Sequence, residues 1–348
     1  MKNAAIIGTT SWYSGSFARA LLAQPDVKLV AAADLGVPDE VMKAQTTLTH
    51  REYAERYGGL RLYRTTEDLL SGEKIDLAFI CAPDRDKAGH GVTTIGAGID
   101  TYFAKPMTSS MDGVRRIVAA SRANPSVWVG SLNPGRFDGA IREAYQRVQQ
   151  GIIGDLLSVR AWIQHGAWPA GRPRAGNPEN DDGQGGPAYS FGLYAADLLN
   201  WFMGSDNAPR RAYAEYATLA TPNFPFPDSG KGTVRYADGR IGSMDIYYAT
   251  PCRAPEWEIE MAGREGLLRT TGAVYEGIVW HVGETTPRSF YRNQNDVILG
   301  AISHWVASCR ERSDPEMNLR DSGRAIQLCA AWEESSAAAR PVEIEPLL

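Results

Sequence analysis

The sequence predicts a two-domain α/β protein, with a parallel sheet covered on both faces followed by an α/β domain built on a large, mostly antiparallel open sheet. Three observations predict it. The chain has 348 residues, more than one ordinary domain needs. Over residues 1–130, short runs that are apolar throughout alternate with helical stretches, the pattern of parallel strands buried on both sides. After Gly130 the pattern changes, and the run GTVRYADGRIGSMDIYY carries Asp238-Gly239, a two-residue turn signal between alternating strands. The domains are therefore expected at 1–130 and 131–348.

The first strands read as Ala4–Ile7, Lys28–Ala33, Asp76–Cys81, Asp100–Ala104 and Val127–Val129. Between the first two lies a helical stretch, Phe17–Leu22, with Phe17, Ala20 and Leu21 on one stripe. Ser109 or Ser110 can cap a helix running through Ala120. This βαβ alternation is that of a Rossmann-like sheet. Beyond it, a helix over Asp138–Gln149 ends at Gly151, and a strand over Leu157–Gln164 follows. The loop Gly166–Gly186 is long and rich in Gly, Pro, Asn and Asp, and loops of that length inside a compact domain are usually functional lids or disordered. An apolar helix, Pro187–Met203, stops at Gly204. Strands at Trp257–Met261 and Gly266–Thr270 and two closing helices complete the second domain.

Composition excludes several classes. Hydrophobic residues make up 43% and charged residues 22%, with a net charge of −5, so no broad basic surface suits nucleic acid or an anionic membrane. The start MKNAAIIGTT runs directly into a strand, and no apolar run approaches a membrane span, so a cytoplasmic protein is expected. Cys81, Cys252, Cys309 and Cys329 lack metal-ligand spacing and fit buried free thiols; no metal is expected.

IIGTTSWYSGSFARAL joins the first strand to the first helix, where a dinucleotide pyrophosphate rests on a helix amino end. Gly8 holds the first glycine position of the nucleotide fingerprint and Thr10 replaces the second. The hydroxyls of Thr9, Thr10, Ser11 and Ser14 are expected to compensate by donating to phosphate oxygens. Asp34 ends the second strand, where a carboxylate accepts the ribose hydroxyls of NAD and repels the extra phosphate of NADP, so NAD is favoured. Ala82, Pro83 and Asp84 follow the strand DLAFICA and are expected along the nicotinamide ribose. In AGIDTYFAKPM, Lys105 ends a strand and Pro106 restricts its backbone, which places an ammonium where open α/β sheets bind ligands.

These segments resemble the Gfo/Idh/MocA family of NAD(P)-dependent oxidoreductases. AGIDTYFAKPM is similar to its AGKHVxCEKPM segment, with Ala104 in place of the glutamate, and GSLNPGRFDGAI to its GxNxRF segment. GGPAYSFGLYAADLLNWFMG resembles its glycine-rich loop and active-site helix. The hairpin GTVRYADGRIGSMD, the strand pair EIEMAGREGLLRT and the closing ESSAAARPVEI match in order, so the likeness covers almost the whole chain. The resemblance implies hydride transfer between nicotinamide and the hydroxyl carbon of a carbohydrate-like substrate, and a homodimer or homotetramer joined through the open face of the second sheet. The family helix usually carries an Asp and, four residues on, a His that work with the lysine. Aligned through Gly192 and Asp197, those positions are Ser190 and Tyr194, and some branches carry Tyr there.

Ser190 and Tyr194 share one side of the helix. An ammonium ~4 Å from a phenol is worth about 4 kcal/mol at an effective dielectric near ~20, enough to bring a group of pKa about 10 toward neutrality. Lys105 with Tyr194 is thus a sufficient acid–base pair, with Lys105 itself the alternative base. Asn133, Arg136, His165 and Trp168 are the candidates for binding polyol hydroxyls. Two other readings stay open: a lyase or glycoside-cleaving enzyme that oxidises transiently and restores NAD, using Asp181 or Asp182, and a non-catalytic NAD-binding sensor.

Overall fold

Strands β1 (Lys2–Ile7), β2 (Val27–Ala33), β3 (Arg61–Tyr63), β4 (Leu77–Ile80), β5 (Asp100–Phe103) and β6 (Val129–Ser131) form one parallel sheet in the order β3-β2-β1-β4-β5-β6. The computed structural model describes residues 1–9, 11–33, 38–46, 48–164, 189, 191–219, 226–247, 256–271, 276–281, 288–291 and 294–347. Residues of β1 and β4 are buried almost throughout because helices cover both faces, which is why these strands read as unbroken apolar runs. The intervening helices are α1 (Trp12–Leu22), α2 (Asp39–Thr46), α3 (His50–Arg56), α4 (Thr66–Gly72), α5 (Asp84–Gly96) and α6 (Met111–Ala123). Several start on the expected chemistry: Thr49 closes a capping box with Glu52, and Ser110 accepts from the Gly113 amide at 3.1 Å.

The sixth strand lies two residues beyond its expected position. The Trp128 amide donates to the Asp100 carboxylate at 2.9 Å, so the chain passes a side-chain clamp before ladder pairing with β5 begins at Val129.

By its contacts the chain separates into two units, one taking the described residues of 1–132 and 298–322, the other those of 133–297 and 323–347. The first unit takes in most of helix α9 (Gln294–Glu311, numbered after α7 and α8 below) as well as the start of the chain. Trp305 packs on Tyr102 with ring centroids 4.9 Å apart, Gln24 donates to Ser303 at 3.0 Å, and Arg312 pairs with Asp100 at 3.0 Å. Sequence distance hides such a return, because nothing local marks which sheet a late helix covers.

The second unit is built on a nine-stranded sheet in the order β14-β13-β12-β11-β7-β10-β9-β8-β15. Its strands are β7 (Leu156–Gln164), β8 (Pro209–Ala217), β9 (Ser229–Tyr236), β10 (Ile241–Tyr247), β11 (Glu256–Gly263), β12 (Leu267–Thr271), β13 (Glu276–His281), β14 (Arg288–Tyr291) and β15 (Val342–Glu343). Only β7 and β10 pair in parallel; the other pairings are antiparallel. Helices α7 (Gly139–Gln149), α8 (Gly192–Met203) and α10 (Leu319–Ala338) belong to this layer. Val159, Ala161, Ile163, Met244 and Ile246 form the buried face, and Trp332 of α10 donates to the Thr233 carbonyl at 3.0 Å. The opposite face carries charges paired across strands: Arg160 with Asp245 at 3.1 Å, Lys231 with the same carboxylate, and Arg269 with Glu258.

The hairpin between β9 and β10 differs from the expected two-residue turn. Tyr236 and Arg240 are bonded partners, leaving Ala237, Asp238 and Gly239 in the loop. Only Gly239 among them takes positive φ, at 91°, whereas the two-residue turn would need Asp238 there as well.

Candidate functional site

The site residues of the first unit gather where the parallel strands end. Ile7, Ile80 and Phe103 stand in register across β1, β4 and β5, so the residues after them emerge along one carboxyl edge. The strand order reverses between β1 and β4, and open α/β sheets bind ligands at such a switch point. Gly8 sits there with φ +88°, and a Cβ added to it would lie 2.4 Å from the Ala82 nitrogen, so only glycine lets the turn pass this close to the end of β4. Ser11 caps α1 by accepting from the Tyr13 amide at 3.2 Å, which presents a helix amino end at the same edge. A glycine-tight turn at the switch point and an adjacent helix start fit a dinucleotide.

Three of the expected cofactor contacts are corrected. Thr9 is fully buried, with its hydroxyl on His50 Nδ1 at 3.2 Å, and Ser14 donates to the Thr9 carbonyl at 2.7 Å. Both hydroxyls shape the turn from inside and do not face phosphate. Asp84 is only 3% exposed and its Oδ1 accepts from Lys87 Nζ at 2.6 Å, so its carboxylate belongs to a buried ion pair and not to the ribose edge. Ala82 and Pro83 follow β4, and Pro83 is the residue directly before α5. Cys81 beside them is buried; burial pushes its thiol up to about 12 against the lowering effect of Lys87, which makes it inert as a nucleophile.

Lys105 follows β5 and is half-buried, and its peptide bond to Pro106 is cis. Its segment is tied down by Lys87, whose Nζ also donates to the carbonyls of Ala104, Lys105 and Pro106. Sequence reasoning passed over Lys87, although Asp84 and Lys87 stand one turn apart directly after Pro83.

In the second unit, every residue of α8 is buried, which explains its apolar character all round. Tyr194 on this helix is 5% exposed and packs edge-on against Trp257, centroids 4.1 Å apart. Asp197, one turn on, is fully buried and gathers Arg136 and Asn133. Arg136 Nε donates to its Oδ2 at 2.8 Å, Arg136 Nη2 donates to Oδ1, and the Asn133 amide donates to Oδ2. Asn133 Oδ1 accepts from the Gly135 amide at 3.1 Å and so caps the short helical turn Pro134–Phe137. The Arg136 guanidinium lies 5.4 Å over the Trp201 ring, itself stacked on Tyr145 at 3.8 Å. Asn133 and Arg136 were expected at substrate; each is 1% exposed and bonded to Asp197, and this is a correction. The cluster fastens the turn before α7 to α8.

A second polar group in this unit was not singled out in the sequence. Glu333 of α10 hydrogen-bonds Tyr189, and burial raises its carboxyl to about 7. Thr10, Asp34, His165, Trp168, Ser190, Cys252 and the loop Gly166–Gly186 lie outside the described residues. Cys81, Cys309 and Cys329 are buried and free, as expected. Among the described residues, no helix is long and apolar enough to cross a membrane, and no group of three His, Cys, Asp or Glu could hold a metal ion.

Comparison with known proteins decides the family. Residues 2–131 match the model of the oxidoreductase family's NAD-binding Rossmann fold, and residues 141–269 match the Gfo/Idh/MocA carboxy-terminal domain. The chain belongs to the Gfo/Idh/MocA oxidoreductase family. Its relatives within the family are distant. It is 22% identical over 231 residues to 1,5-anhydro-D-fructose reductase of Ensifer adhaerens, a match spanning 66% of this chain and 67% of that one. It is 21% identical over 303 residues, 83% of each chain, to inositol 2-dehydrogenase 2 of Saccharopolyspora erythraea. Among solved structures, an oxidoreductase from Agrobacterium radiobacter, in complex with NAD+, L-tartaric acid and magnesium, superposes with a TM-score of 0.86 at 16% identity, covering 100% of this chain and 99% of the other. The fold expected from the sequence is thus the family fold, and the cofactor of its first domain is NAD.

Proposed function

We propose that this member of the Gfo/Idh/MocA family is an NAD-dependent dehydrogenase or reductase acting on a hydroxyl carbon of a sugar, polyol or related cyclic alcohol. The observation that carries the reading is the placement of Lys105 at the carboxyl edge of the parallel sheet, one strand from the switch point marked by Gly8 and Ala82. The sugar and inositol chemistry named for the relatives supports the substrate class.

When bound, NAD supplies the hydride acceptor. The turn at Gly8, the capped start of α1 at Ser11 and the Ala82-Pro83 edge are the residues to hold it, with Thr10 at the turn and Asp34 at the adenosine ribose, which favours NAD over NADP. Lys105 Nζ is assigned to the substrate hydroxyl, where it orients the oxygen and holds or accepts its proton. Tyr194 Oη is assigned the same proton as the alternative base, and Ser190, four residues earlier in the sequence, is assigned to assist it. His165 and Trp168 are assigned to substrate hydroxyls. The sheet face laddered with ion pairs, where Trp162 and Tyr247 rings lie 6.0 Å apart, supports a homodimer or homotetramer. Three buried free thiols support a cytoplasmic, reducing location.

Calorimetric titration with NAD, then NADH absorbance across a panel of sugars and polyols, tests the reading. Turnover on a panel member that falls about 100-fold or more in Lys105→Met supports it. Turnover left intact by both Lys105→Met and Tyr194→Phe removes the assigned roles. Product formed without net NADH points to the lyase reading, and NAD binding with no product from any substrate points to a sensor.

A further inference from the structure

Lys87 is the most completely enclosed lysine among the described residues, with 1% exposure. Its ammonium meets four oxygens: Asp84 Oδ1 at 2.6 Å, and the carbonyls of Ala104 at 3.3 Å, Lys105 at 3.3 Å and Pro106 at 3.0 Å. An ammonium has three donors, so these acceptors occupy all of them, with one shared. The three carbonyls are consecutive and lie past the end of β5. Buried carbonyls must be paired, and here one side chain from α5 pairs the whole turn. An apolar residue of the same volume would take this donor away from the three carbonyls and from the Asp84 carboxylate, so the ammonium has a role that volume alone cannot fill.

We propose that Lys87, held by Asp84, is a positioning residue for Lys105: its ammonium anchors the carbonyls of Ala104, Lys105 and Pro106 to α5 and so fixes where the Lys105 side chain leaves the sheet edge. Asp84 has a second effect. Without its carboxylate, an uncompensated cation bonded to the Lys105 carbonyl would disfavour the protonated form of the Lys105 amine. The ion pair therefore holds the turn without adding net charge beside it. The inference rests on the dehydrogenase reading only for its consequence in turnover; the anchoring stands on the first unit alone.

The test uses the full chain and two readouts that need no substrate: amide hydrogen exchange of the peptide spanning Ala104–Met107, and the rate at which Lys105 is acetylated as a function of pH. Asp84→Asn with Lys87→Met removes both charges together and leaves no orphan ion. In this double variant, exchange of that peptide is expected to rise about tenfold or more, while peptides from β1 and β4 keep their rates. Asp84→Asn alone keeps an oxygen for Lys87 and the carbonyl bonds, so exchange there stays near the wild-type rate while the pH midpoint of Lys105 acetylation moves down. On a working substrate, kcat of the double variant falls with KM for NAD little changed. Unchanged exchange in a folded double variant overturns the proposal. So does an unmoved midpoint in Asp84→Asn, which decides the matter should the double variant not fold. If the wild type turns over no substrate, the exchange and labelling results still decide the anchoring, and the dehydrogenase reading fails by itself.

Discussion

Arg136→Met separates a structural from a substrate-binding arginine. The substitution keeps the alkyl stem beside Trp201 but removes the Nε and Nη2 donors that Asp197, fully buried, accepts. Hydrogen bonds to a charged group contribute about 1.5–3 kcal/mol each, so two give about 3–6 kcal/mol. Breaking a buried ion pair from one side costs about 3–5 kcal/mol by an independent route. The two ranges overlap near ~4 kcal/mol, which for a unit of this size lowers the melting temperature by about 8–16 °C. Differential scanning calorimetry at neutral pH reads it, following the transition of the second unit. Adding Asp197→Leu should recover a substantial part of the loss, since the buried carboxylate left without its counter-charge goes with it. A variant that melts within about 2 °C of wild type but loses turnover would show that the guanidinium serves substrate, and the structural account would be wrong.

Other outcomes follow from the same observations. Glu333 titrates near about 7 when folded, against 4.5 for an ordinary glutamate. A raised acid is protonated in both states at low pH, so its contribution to stability is intact below about 4.5 and is lost as pH rises toward about 7, by up to ~3 kcal/mol. Glu333→Gln should flatten that part of the pH–stability curve and be the more stable protein at pH ~8; superimposable curves would refute it. Gly8→Ala forces a Cβ to 2.4 Å from the Ala82 nitrogen at a φ of +88°, so NAD affinity measured by calorimetry should fall at least about tenfold, with a lower melting temperature. Cys81, Cys309 and Cys329 should resist alkylation of the native protein and react on denaturation, as mass spectrometry of the alkylated peptides would record.

The sheet of the first unit was legible because doubly covered strands must be apolar throughout, and the runs around Ile7, Ile80 and Phe103 are. Several of the errors come from partners distant in sequence. Arg136 reads the same whether its carboxylate belongs to a ligand or to Asp197, 61 residues later. Thr9 reads as a phosphate donor until His50, 41 residues on, takes its hydroxyl. The sixth strand shifted because the Asp100 carboxylate, 28 residues earlier, claims the Trp128 amide. Lys105 was legible from its place at a strand end, but the four-oxygen hold of Lys87 on its turn depends on α5 crossing back over β5, which only the folded chain displays.

The central claim is that hydride passes from a carbon-bound hydrogen of a polyol or sugar to nicotinamide with Lys105 at the hydroxyl. Mass spectrometry of the coenzyme after turnover of a substrate deuterated at its carbinol carbon tests it most directly. Wild type should yield NADD, and Lys105→Met essentially none. Converted substrate accompanied by unlabelled, still-oxidised coenzyme would contradict it.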